Sequence, residues 1–80
     1  MKEIKTGFFT MDTVHAVLAM NDLVEAKNFA MSIVKQSSSA RSSNIEKACS
    51  MIEKAQSIKK LALDISNFML AHPSENLKTI

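Results

Sequence analysis

The chain has 80 residues, 46% of them apolar, with ten basic and eight acidic side chains and a formal net charge of +2. That length allows one small domain at most, and a mean hydropathy of +0.01 makes the chain too apolar for a disordered tail. A single Gly, a single Pro and no Trp or Tyr argue against a sheet-and-turn protein, which needs turn residues about every eight to twelve positions.

Ala, Leu, Met, Lys, Glu and Gln lose little side-chain freedom in a helix and are common throughout, so an all-α fold is expected. Residues 1–10 read as a short arm anchored by Phe8 and Phe9, with Gly7 giving freedom to turn. Phe9 precedes Thr10 and Asp12, which suits a residue that packs back on the first turn of a helix.

A first long helix is expected over about 11–36. Its seam runs Thr13, Ala16, Met20, Leu23, Lys27, Ala30 and Val34, and Val17, Val24 and Met31 widen the apolar stripe. Asp22 followed by Glu25 has the capping-box pattern that would start a new helix there. Against that, the stripe passes through without losing register, and Asn21 and Asp22 fall on the polar side. One continuous helix is the expectation.

The run QSSSARSS, with a loop over 37–43, is the one internal stretch whose serines compete for backbone hydrogen bonds. A connection of this length returns the next helix antiparallel. Ser43-Asn44-Ile45-Glu46 then supplies a Ser-x-x-Glu capping box. The second helix is expected over about 44–71, ending before Pro73, with 73–80 as a tail. Along it Ala48, Ala55, Ala62 and Met69 share one heptad position, and Met51, Ile58, Ile65 and His72 share the other. Ala at alternate layers lets two backbones approach closely. The two helices, about 26 residues and roughly 39 Å each, would form an antiparallel hairpin over 11–72.

Two helices alone bury one face each, which leaves a chain this small near zero net stability. The last turns of the second helix also carry more apolar surface than one partner covers. Leu61, Ala62, Leu63, Ile65, Phe68, Met69 and Leu70 span roughly 220° of the helical wheel, against an apolar stripe of about 100° or slightly more on a typical surface helix. A homo-oligomer, most simply a two-fold dimer completing a four-helix bundle, follows.

Little in the chain supports catalysis or cofactor binding. The lone Cys49 excludes an intramolecular disulfide and a four-cysteine zinc site, and beside Ala48 it reads as a small buried hydrophobe. His15 and His72 lie in different elements without a second ligand at helical spacing; the nearest approach is Asp12 to His15. No nucleophile has a base and an orienting group, and Gly7 alone makes no phosphate loop. A non-enzymatic protein without metal or cofactor is expected. Residues 1–9 lack an apolar signal core, and the apolar stretch over 14–34 is interrupted by His15, Asn21, Asp22, Glu25, Lys27 and Asn28. No membrane association and a cytoplasmic location are therefore expected.

Lys47, Lys54, Lys59, Lys60 and Arg41 make the second helix partly basic, but Glu46, Glu53 and Asp64 interrupt them, and four Phe are few for base stacking. Internal methionines (Met11, Met20, Met31, Met51 and Met69) fall mostly on the seams, where Met fills gaps and adapts to partners. In size and texture, though not in any motif, the chain resembles the small regulators encoded by phages and prophages, such as antirepressors and host-takeover inhibitors. The resemblance implies binding to another protein, for instance a repressor or other host or phage regulator, so that its assembly is inhibited or remodelled. Partner or oligomer contacts are expected at Phe8, Phe9, Leu61, Leu63, Ile65, Phe68 and Leu70, more than at Lys59 and Lys60. Two alternatives belong to other classes. One is an RNA-binding hairpin, by analogy of shape with ROP-type dimers; the other is a purely structural oligomer.

Overall fold

A computed structural model describes residues 9–36 and 42–72. They form four helices, α1 (Met11–Ala19), α2 (Leu23–Gln36), α3 (Ser42–Lys54) and α4 (Ile58–Ala71), with no strand among the described residues. The all-α expectation is met, but each of the two expected long helices is broken in the middle. Residues 1–8 of the expected arm, 37–41 of the expected loop over 37–43 and the expected tail over 73–80 lie outside the described residues, while 42–43 belong to α3.

The start of α1 is fixed by local chemistry. Thr10 adopts an extended backbone, its hydroxyl accepts the Thr13 N–H at 3.3 Å, and the Thr13 hydroxyl accepts the Thr10 N–H at 3.4 Å. The Thr13 N–H also donates to the Thr10 carbonyl at 3.0 Å, so the two threonines close a reciprocal capping box around the helix start. Phe9, just before the cap, is fully buried in the same core as Val14, four residues past it. This is the hydrophobic staple geometry.

Asn21 and Asp22 do interrupt the first expected helix. Met20 leaves helical geometry (φ −80°, ψ 149°) and its N–H reaches back to the Val17 carbonyl at 3.1 Å. Asp22 then restarts the chain: its carboxylate accepts the Val24 N–H at 2.9 Å, and its carbonyl accepts the Ala26 N–H at 3.0 Å. An in-phase apolar stripe does not distinguish a continuous helix from two helices that both face one core. The capping chemistry of Asp22 decides for two.

A second break separates α3 from α4. Ala55 caps the last turn with an N–H to the Ile52 carbonyl at 3.3 Å. Ser57 is extended, and its hydroxyl accepts the Lys60 N–H at 3.1 Å. Its carbonyl accepts the Leu61 N–H at 2.8 Å, which opens α4. The alanine heptad concealed this break, because Ala48, Ala55 and Ala62 are buried on either side of it. At the other end α3 begins at Ser42, so Ser43 lies inside the helix rather than capping it.

The consequence is a fold with more layers than a hairpin. α1 packs most extensively on α4, α2 packs on α3, and contacts between α3 and α4 join the two pairs. The molecule measures 30 × 28 × 20 Å, shorter than the roughly 39 Å of an unbroken helix of about 26 residues. Val17 from α1, Ala26, Ala30 and Val34 from α2, Ala48 and Ile52 from α3, and Leu61 and Ile65 from α4 are fully buried in one core. Ala26 and Ala30 on α2 and Ala48 on α3 are small, fully buried members of this core. Lys27, placed on the expected seam, is half-buried, and its ammonium donates to the Glu53 carbonyl in the last turn of α3 at 3.3 Å. Carbonyls there have no intrahelical partner, and a cation suits the negative end of the helix dipole.

Candidate interaction surface

Helix α4 has two apolar sides. Leu61, Ala62, Ile65 and Phe68 are buried against the rest of the chain. Leu63 and Leu70 lie about 160° around the helix from them at 3.6 residues per turn, and they remain 57% and 80% exposed. Seven residues apart, they fall within about 20° of one line along the helix. Lys59 and Asn67 are exposed beside this line, and Ser66 is half-buried. Lys60 is held elsewhere, with its ammonium 2.7 and 2.9 Å from the two carboxylate oxygens of Asp64.

A second exposed apolar pair has the same spacing. Met11 and Leu18 on α1 are about half exposed, on a flank of the helix rather than opposite its buried Thr13, Val14 and Val17. Val24, in the first turn of α2, is also exposed.

The residues expected at an interface therefore divide. Leu63 and Leu70 are at the surface. Phe9, Leu61, Ile65 and Phe68 are core residues of the chain itself, and Phe8 lies outside the described residues. Phe9, expected both to pack back on the first turn and to make partner contacts, is fully buried within the chain, which leaves it no exposed surface for a partner. The wide apolar arc of the last helix is covered largely from within, because the break at Asn21 and Asp22 frees α1 to lie on α4. Met11, Leu18 and Val24 were missed as surface residues. Leu18 carries a signal in the sequence, being apolar at a position that the seam does not use.

The polar side chains are dispersed. Lys47 and Lys54 are exposed on α3, and each adjoins an exposed acid, Glu46 and Glu53 respectively. His15 is exposed on α1, while His72 closes α4, its N–H donating to the Phe68 carbonyl at 2.9 Å and its ring 4.2 Å from the Phe68 ring. Cys49 is half-buried. Among the described residues no group of three or more His, Cys, Asp or Glu is placed to hold a metal ion, and no helix is long and apolar enough to cross a membrane. No protein-family model matches the chain, and no curated protein or solved structure matches it.

Proposed function

We propose that this chain is a non-enzymatic interaction module. On this reading it binds another protein through exposed apolar helix faces and inhibits or remodels that partner's assembly, as small phage-type regulators do in the cytoplasm. The observation that carries it is the exposure of Leu63 and Leu70 along one line of α4, on the side away from a core that is already filled. Scattered exposed apolar residues are ordinary. Two leucines in heptad register on a helix face match the anchor spacing of helix-to-groove and helix-to-helix recognition. Met11 and Leu18 offer a second such face.

The test is capture from the native cell by the tagged full chain, followed by identification of what is retained. Leu63→Ser with Leu70→Ser, Met11→Ser with Leu18→Ser, and Lys47→Glu with Lys54→Glu are compared, with folding checked by circular dichroism. Loss of a defined protein with either apolar pair, and its retention by the lysine variant, supports the reading. Retention of RNA that is abolished only by the lysine reversal would put the RNA-binding alternative ahead. Retention of no protein by the parent chain would favour a purely structural oligomer.

A further inference from the structure

The charges of α4 run against its own dipole. Its first turn holds Lys59 and Lys60 with no acid, where the helix N-terminus is already positive, and its last turn holds no cation, where the carbonyl end is negative. Asp64 neutralises Lys60. Lys59 has no ion pair among the described residues and lies beside the exposed leucine line. A second α4 laid antiparallel along that line corrects both ends at once.

We propose that the exposed face of α4 pairs with the same face of a second copy, antiparallel about a two-fold axis. Leu63 of each copy lies against Leu70 of the other, and Lys59 of each lies beside the carbonyl end of the other. The proposal rests on the reading of the exposed faces as interaction surfaces and names the occupant of one of them. Antiparallel pairing centred between Leu63 and Leu70 puts the axis between Ser66 and Asn67, whose polar side chains tolerate the middle of a small interface. At 1.5 Å rise per residue, Lys59 then falls about 4–5 Å beyond Ala71 of the other helix along the axis, within reach of its last carbonyls. Parallel pairing would instead set Lys59 against Lys59 and leave both carbonyl ends without a cation. The charge pattern thus selects the antiparallel arrangement as well as the partner. Under this assignment the flank of α1 bearing Met11 and Leu18 is the face left for a different protein.

Two leucines per copy make a modest interface, below the roughly 1,000 Å² of total buried area that marks a stable complex. The expected association is therefore in the micromolar range and reversible. Sedimentation equilibrium of the purified full chain over about 10 µM to 1 mM, spanning that range of affinity, should show a monomer of 8.8 kDa in equilibrium with a dimer of twice that mass. Leu63→Ser with Leu70→Ser should abolish the dimer while leaving the helical circular dichroism unchanged, and should remove any rise of the melting temperature with protein concentration. Should the double variant lose structure, Leu70→Ser alone, at the more exposed position, carries the same test. Lys59→Gln separates the two orientations. Loss of two dipole contacts weakens an antiparallel dimer by about three- to thirtyfold, whereas relief of like-charge repulsion tightens a parallel one.

A dimer insensitive to the leucine changes, or one tightened by Lys59→Gln, overturns the proposal. So does a monomer at every concentration. If that monomer still captures a protein partner and loses it with Leu63→Ser and Leu70→Ser, the pairing is wrong and the interaction-module reading stands. If it captures nothing, both fail.

Discussion

Phe9 and Phe68 meet edge to face, with ring centroids 6.0 Å apart and ring planes at 87°. The contact joins the residue before the cap of α1 to the last turns of α4, so it holds the start of the described chain against its end. Aromatic rings prefer this arrangement because the positive edge of one faces the negative face of the other.

Phe9→Ala should therefore destabilise the fold by about 3–5 kcal/mol, the usual cost of removing a buried phenylalanine. Leu70→Ala, at an exposed position, should stay within about 0.5 kcal/mol in the monomer. Urea unfolding at low protein concentration compares the two. A cycle of Phe9→Leu and Phe68→Leu should show a coupling of about 0.5–1.5 kcal/mol. If Phe9→Ala is as mild as Leu70→Ala, the phenylalanine is not in the core.

The alanine layers give a second test. Ala55, in the connection between α3 and α4, and Ala62, in α4, are almost fully buried in the core. Ala55→Leu or Ala62→Leu should cost about 1–3 kcal/mol, because added methylenes in a close-packed site force side chains off their rotamers. Melting temperatures at or above the parent's for both variants would show that neither alanine faces a tight contact.

Which parts of the fold were legible follows from these residues. Ala48, Ala55 and Ala62 announced their burial by spacing and small size, and the burial holds in four helices as it would have in two. The break at Asp22 is visible in the sequence as a capping pattern, but the unbroken apolar phase points the other way and is shared by both arrangements. The break at Ser57 was harder to see: the residue three places on is Lys60 rather than Glu or Gln, so the usual capping-box signature is missing. A helical wheel groups Leu63 and Leu70 with Leu61, Ile65 and Phe68, because it shows the width of an apolar arc but not which part of it the chain covers. Only the position of α1 on α4 separates them.

Three serine and aspartate substitutions test the breaks directly. Asp22→Ala and Ser57→Ala should each cost about 0.5–2 kcal/mol, since each removes the side chain that accepts an orphan N–H at a helix start. Ser43→Ala should change stability by less than about 0.5 kcal/mol, because Ser43 is exposed within α3 and Ala is the better helix former. Thermal melts of the three variants form one comparison. A costly Ser43→Ala beside a neutral Ser57→Ala would restore the continuous second helix, with Ser43 as its cap.

The contact of Lys27 with Glu53 tests how α2 is fastened to α3. The Lys27 ammonium reaches a backbone carbonyl, not the Glu53 carboxylate, so the interaction depends on the lysine and on the end of α3 rather than on the glutamate side chain. Lys27→Met keeps most of the aliphatic stem and removes the donor. It should cost about 0.5–1 kcal/mol, the net value of a partly exposed hydrogen bond at a helix terminus. Glu53→Gln should cost less than Lys27→Met, because it leaves the carbonyl in place. Chemical denaturation of the two single variants decides between the backbone contact and an ion pair. Equal losses from both would mean that Lys27 pairs with the Glu53 carboxylate in solution, and the hydrogen bond to the end of α3 would no longer account for its burial.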